Sequence, residues 1–315
     1  MILFSDPSRR STSRGAAVVM AMLLAALAAT IAATLLWQQQ RWIEEHQHRR
    51  DQVQAQALAM AGVQWTRQIV FENAPAGTIV HLGQPWALRL PAMPIENGSI
   101  SGYIVDAQGR ININNLSTGS TDAASTRGAL QRLFAALALP ANLINAVGDW
   151  VDTDDKTTDP GGAEDAWYLA QATPSLAANA PVRRVGELLL VRDVSPAAMA
   201  RARPFIAALD APTAINVNTA PAEVLAATVG GLDAAGAALL VAAREKTPFA
   251  SVADFRGRLP RPDLLADDTS LAVRSDWFEV SIEARQGDTL ARARALLKRS
   301  VTPGEWPAVV WQTVE

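Results

Sequence analysis

Residues 16–37, AAVVMAMLLAALAATIAATLLW, carry no charge and almost no polarity, and nothing else in the chain limits its fold as strongly. As an α-helix this run spans about 33 Å at about 1.5 Å per residue, the thickness of a bilayer core. Arg9, Arg10 and Arg14 precede it, so the positive-inside rule keeps residues 1–15 cytoplasmic and sends the bulk of the chain outward. A secretory signal peptide would have a shorter apolar region followed by a small-x-small cleavage site. Here the run leads into Gln38, Gln39, Gln40 and Arg41, and no Gly or Pro interrupts the chain before Gly62. A membrane helix that continues into water is the expected element. Without residues 1–15 the chain has 30 acidic and 25 basic residues, which argues against a nucleic-acid protein relying on a broad basic field. With no cysteine, and only His46, His48 and His81, thiol chemistry is excluded and little remains for histidine catalysis. No catalytic residue is expected.

The junction Ser13-Arg14-Gly15, followed at once by the apolar run, resembles the processing site of type IV pilin-like proteins. That resemblance implies cleavage by a prepilin peptidase after Gly15, leaving Ala16 as the mature N-terminus. The fifth mature position, usually Glu in that class, is Met20. A carboxylate in the membrane costs several kcal/mol, on the order of 3, unless paired, and ordinary subunits keep it to meet a neighbour's terminal amine. A subunit lacking it suits the first, outermost position of a filament.

From residue 37 to about 71 the chain reads as one helix leaving the membrane. Leu58, Ala61, Trp65 and Ile69 recur at steps of three and four, giving an apolar stripe. Asn73 to Gly77 should end it. Residues 78–82, 87–90, 100–105 and 110–114 alternate like half-buried strands. Near the C-terminus residues 276–284 alternate cleanly, Gln286-Gly287-Asp288 forms a hairpin turn, and 290–298 with 308–314 complete an antiparallel sheet. Arg292, Arg294, Lys298 and Arg299 are expected on its solvent face.

Between these strands the sequence echoes itself. Ile111-Asn112-Ile113-Asn114-Asn115 and Ile215-Asn216-Val217-Asn218-Thr219 each open a helical stretch, closed by residues 184–188 and 251–255 respectively. The second copy resembles the helix-hairpin-helix module of competence-type DNA receptors. Its turn, however, is Gly230-Gly231-Leu232-Asp233, which puts an acid where a phosphate would sit, so a helical interaction surface is the preferred reading.

The first copy carries the strongest chemical signal. Asp149, Asp152, Asp154, Asp155, Asp159, Glu164 and Asp165 fall within 17 residues that hold one lysine, Lys156. Uncompensated, these charges repel. Oxygen donors around glycine turns suit calcium, which takes six to eight oxygens in flexible geometry, better than magnesium. The EF-hand pattern fails, because a start at Asp152 puts Lys156 at a ligand position. A solvated acidic loop is the alternative, against which Trp150, Val151, Trp167 and Tyr168 flank the acids and anchor them. Paired-carboxylate glycosidase chemistry is a third reading, disfavoured because no array of sugar-stacking aromatics adjoins them.

The Arg14-Gly15 leader, the DWVDTDD (149–155) and GAEDAWYL (162–169) pair, Asn179-Ala180-Pro181, VGELLLVRDVSP (185–196) and INVNTAP (215–221) together resemble the minor pseudopilin K family of type II secretion systems, over nearly the whole chain. The resemblance implies an α/β fold: a pilin-like transmembrane helix and stem (16–37, then 38–115 with the first strands) packed on an antiparallel sheet. A mostly helical domain of helix-hairpin-helix or SAM-like repeats (116–275) is inserted, and residues 276–315 complete the sheet. It also implies bound Ca2+, with ligands among Asp149, Asp152, Asp154, Asp155, Glu164 and Asp165, and a single-pass protein of the inner membrane with its bulk in the periplasm. The implied partners are other minor pseudopilins in a tip complex, the inner-membrane assembly platform and prepilin peptidase. The implied role is to initiate and cap a filament that exports folded proteins across the outer membrane. A type IV pilus minor pilin and a membrane-anchored DNA receptor are the rival expectations.

Overall fold

The computed structural model describes residues 12–315 apart from 74, 76, 118, 119, 121, 266–268, 301 and 303, and side chains from residue 15 onward. Arg9, Arg10 and the side chain of Arg14 therefore lie outside the described residues.

One helix, α1, runs from Thr12–Asn73, about 93 Å at about 1.5 Å per residue. Its N-terminal part is apolar enough to cross a membrane, and every described side chain from 15 to 50 is exposed. From residue 51 the helix packs on a five-stranded sheet of order β1-β2-β7-β8-β9, antiparallel throughout. Its strands are β1 (Leu90–Ile95) and β2 (Gly98–Asp106), then, after a long insert, β7 (Trp277–Gln286), β8 (Thr289–Lys298) and β9 (Ala308–Val314). The insert holds β3 (Ile111–Asn112), α2 (Ala123–Ala136), α3 (Leu143–Val151), α4 (Asp165–Leu169), α5 (Pro196–Ala202), β4 (Ile206–Ala207), β5 (Ile215–Asn216), α6 (Ala222–Thr228), α7 (Ala234–Lys246), α8 (Val252–Gly257) and β6 (Leu271–Ala272). A mixed helix–sheet fold with an N-terminal apolar helix and an antiparallel sheet is thus observed.

The buried face of the stem differs from the expected stripe. Ala55, Ala59, Gly62, Val63, Thr66 and Val70 are buried, whereas Ala61 and Trp65 are exposed. Small residues let the helix axis approach the sheet closely. A Cβ on Gly62 would stand 2.8 Å from Ile282 Cγ2 and 3.1 Å from Ile100 Cδ1, so the contact selects glycine by volume, not by hydrophobicity. The alternation of β7 sorts its side chains: Phe278, Val280, Ile282 and Ala284 join the stem core, while Trp277 joins Ala107, Ala207, Leu209 and Leu296 on the opposite face.

Residues 78–82 and 87 form no strand. Residues 85–87 make a 3₁₀ turn, and Val80 instead ties stem to insert: its N–H donates to Val273 O and its carbonyl accepts from Asn216 Nδ2. Residues 110–114 also leave the main sheet, because Ile111 and Asn112 pair in parallel with Ile206 and Ala207 of the insert. Arg299 is not on the solvent face. It is buried and donates to Asp276 Oδ1 and Pro75 O, while Arg292 and Lys298 pair with Glu283 and Asp210.

Where the insert joins the sheet, Asp106 is buried. Its Oδ2 accepts from Asn216 Nδ2 (2.9 Å), Thr219 Oγ1 (2.6 Å) and Ser275 Oγ (2.5 Å), and its Oδ1 from Gln108 N (2.8 Å). Burial pushes its carboxyl above the usual aspartate range, and these hydrogen bonds pull it partly back. Asp106→Ala removes, in a dry site, the acceptor that Asn216, Thr219 and Ser275 share. Thermal or denaturant unfolding should show a loss of at least about 2 kcal/mol, whereas a loss of only a few tenths would show that these groups find other partners.

Candidate metal centre

The acidic segment begins inside a helix, not after one. α3 runs from Leu143–Val151, its apolar residues continuing through Trp150 and Val151. The helix is buried almost all round, so Asp149 on its last turn is fully buried. A buried carboxylate needs compensation. Asp149 Oδ2 accepts from Thr158 N at 3.0 Å, yet Oδ1 has no hydrogen-bond partner.

The chain then folds back over Asp149. Asp154 Oδ1 accepts from Lys156 N (3.0 Å), closing a turn. Gly162 N donates to Thr158 O (2.9 Å). A Cβ on Gly162 would overlap both Asp149 Oδ2 and Thr158 O, so only glycine lets the backbone lie against the carboxylate. Glu164 follows, buried, and neither of its carboxylate oxygens has a partner. Asp152 Oδ1 and Asn179 Oδ1 are buried and unpartnered as well. Asn179 takes φ 43, a left-handed conformation that asparagine tolerates better than most residues.

Electrostatics place these groups together. Burial first, then the charges of Asp154 and Asp149, push the Asp152 carboxyl up to about 6, with Arg127 pulling the other way. Burial, then Asp149, Asp152 and Asp154, push Glu164 up to about 7, opposed by the adjacent Asn179 amide. That amide stands beside Glu164 without a hydrogen bond of good geometry. Aromatic rings wall the cluster. Trp150 and Tyr168 meet edge to face at 5.0 Å, Trp167 and Tyr168 at 4.9 Å. Arg192 lies 5.2 Å over Trp167 and donates to Gly162 O at 3.0 Å, and Tyr168 OH accepts from Arg192 N.

Of the six acids expected as ligands, the fold gathers Asp149, Asp152 and Glu164, with Asp154 beside them. Asp155 stands in an exposed turn, and Asp165 gives one oxygen to Ala177 N (2.8 Å). Asn179 belongs with the cluster although a search for acids passes it over; its signal was the Asn179-Ala180-Pro181 motif. Among the described residues no three His, Asp or Glu side chains already converge to the spacing of a bound ion. Bare carboxylates repel, and calcium completes its shell with amide, carbonyl and water oxygens. Five buried oxygens without partners therefore fit a hard cation better than they fit a solvated loop. Gly15 and Ala16 lie in the first turns of α1.

The other ligand-binding candidate, the turn between α6 and α7, is already filled. Asp233 Oδ1 accepts from Gly236 N (2.7 Å) and caps the helix end that would face a phosphate.

Two family models, both described as "Type II secretion system (T2SS), protein K", match this chain, one at residues 109–211 and the other at residues 215–274. A protein of Aeromonas hydrophila named Type II secretion system protein K is 30% identical over 251 residues, covering 73% of this chain and 75% of its own. One of Klebsiella pneumoniae with the same name is 32% identical over 237 residues, 70% and 72% of the two chains. A chain in the crystal structure of the GspK-GspI-GspJ complex from the enterotoxigenic Escherichia coli type 2 secretion system superposes with TM-score 0.71 at 24% identity, covering 88% of this chain and 99% of that one. The chain belongs to the type II secretion system protein K family.

Proposed function

We propose that this protein is the minor pseudopilin that starts and caps the tip of a periplasmic pseudopilus, in a complex with other minor pseudopilins, during export of folded proteins. The observation that carries this reading is the stem. Every described side chain of its first half is exposed, and Met20 stands where a carboxylate would serve a preceding subunit. Before assembly that half lies in the inner membrane as a single span, with the sheet and insert in the periplasm. Prepilin peptidase cleaves between Gly15 and Ala16, and the assembly platform then passes the helix into a bundle of stems. The helical insert consists of two copies of one helix-hairpin-helix-type unit. Asn114 exchanges two hydrogen bonds with the backbone of Val182 as Asn218 does with that of Phe249, at matching places in the two halves.

The insert is held in shape by calcium. Asp149, Asp152 and Glu164, with Asp154 and Asn179 at hand, would hold the ion, which supplies positive charge to oxygens that otherwise have none. The role is architectural and no step of bond chemistry is assigned.

Co-expression with the other minor pseudopilins of its secretion system should yield a stoichiometric complex on purification, and recovery of this chain alone would count against the tip role. For the ion, a chelator should lower the melting temperature near neutral pH, and unchanged melting with no metal in the purified protein would refute the site. Without the ion, Asp152 and Glu164 hold protons more tightly in the folded state than in the unfolded one. Their contribution is complete below about pH 4 and is lost as pH rises through about 6 and 7. Melting temperature in chelator should therefore fall over that interval, and calcium should oppose the fall. Glu164→Gln should raise the chelated melting temperature near pH 7.5 and shrink the calcium-induced rise; an undiminished rise would remove Glu164 from the ligand set.

A further inference from the structure

The sheet has two edges, and they are built differently. β1 reads Leu-Pro-Ala-Met-Pro-Ile and its pairing with β2 is irregular between Leu90 and Met93, so prolines and a bulge blunt it. β9 reads Ala-Val-Val-Trp-Gln-Thr-Val, with no proline and no charge to discourage another strand; its pairing is irregular between Val309 and Trp311 and regular from Trp311 to Val314. Glu315 and Arg292 exchange both backbone hydrogen bonds. By the antiparallel alternation Thr313 therefore bonds inward to Arg294, while Gln312 and Val314 turn their N–H and C=O outward. No strand among the described residues covers that edge.

Beside the edge lies a groove of about 530 Å³ between the sheet face opposite the stem and the base of the insert. Arg183, Arg184, Arg203 and Arg294 line it, and none has an ion pair among the described residues. Of the carboxylates lining it, Glu279 is committed to Arg110 at 2.6 Å and Glu187 accepts from Arg183 N; Glu315 sits at the end of β9. In a chain of net charge −3, this is a local excess of positive charge. Trp311, on the same strand face, has a buried indole N–H with no acceptor, and Leu190 on the opposite wall is 66% exposed.

We propose that β9 and this groove receive an extended acidic segment of a partner protein, which adds a sixth strand at Gln312 and Val314 and directs its carboxylates at Arg184, Arg203 and Arg294. Strand addition gives affinity through backbone hydrogen bonds, and alternate side chains in the groove give selectivity. The inference concerns a surface that neither the calcium site nor the tip assignment uses, and it stands or falls separately from both.

The test uses the full chain in detergent micelles and a short fluorescein-labelled peptide of alternating Glu and Val, read by anisotropy. The acidic peptide should bind saturably and weaken at least about tenfold when salt rises from about 0.05 M to 0.5 M. A Lys–Val counterpart should not bind. An acidic peptide N-methylated at alternate amides keeps its charge but cannot pair, and should lose at least about tenfold in affinity. The variant R184E/R294E should lose a similar factor while melting normally. Equal binding of the N-methylated peptide would overturn strand addition, and equal binding of the lysine peptide would overturn the acidic partner. No binding by either unmodified peptide, or a peptide-independent dimer of this chain closing the edge, would overturn the proposal as a whole.

Discussion

The fold turns on one carboxylate. Asp106 ends β2, and its four hydrogen bonds come from Gln108 just after the strand, from Asn216 and Thr219 in the middle of the insert, and from Ser275 just before β7. A single buried group thus holds the entry, centre and exit of the insert. Around it lie Arg110–Glu279 at 2.6 Å, Asp276 N donating to Gln108 Oε1 at 2.5 Å, and the small core of Ala107, Ala207, Leu209, Trp277 and Leu296. The stem reports to the same point, since the Val80 carbonyl accepts from Asn216. Domains joined by two peptide links alone would be expected to move on each other. Here buried, directional bonds fix the orientation of the insert on the sheet.

What could be read from the sequence follows the reach of each signal. β7 and β8 were legible because one face is dry and the other wet, so the period of two is written in residue type. The stem was legible in extent but not in orientation: the bulk of Leu58, Trp65 and Ile69 draws the stripe, yet the sheet buries Ala59, Gly62 and Val63 because it needs a close approach, leaving Leu58 and Ile69 at the margin and Trp65 exposed. Residues 78–82 alternate like a strand, but their pairing partners are single groups, Val273 O and Asn216 Nδ2, brought there by a fold no local pattern encodes.

The same distinction holds at the acidic cluster. Charge density along 149–165 announced a site, and a run of acids cannot tell a ligand from a solvated neighbour. Burial makes that choice: Asp149 is a helix residue in the core, Asp155 is in water, and Asp165 bonds to Ala177 N. Asn179 escaped because it bears no charge. Gly162 escaped because its reason is geometric, a backbone lying on Asp149. The repeated asparagines were visible as an echo of letters, and the structure supplies its cause. Asn114 and Asn218 each satisfy both backbone groups of one residue of a buried loop, Val182 and Phe249, a task an apolar side chain of like size cannot perform.

The direct pairing of Asp106 with Phe278 means that the chain leaves and re-enters the sheet at adjacent points. To the sheet the insert is a very long hairpin loop, and loop length adds entropy only logarithmically, about 0.6 kcal/mol for each doubling. Such a site can accept a domain, or surrender one, without altering the register of any strand. The insert sits in the sheet like a graft in its stock, and the buried Asp106 with its four hydrogen bonds is the scar that would make its removal costly.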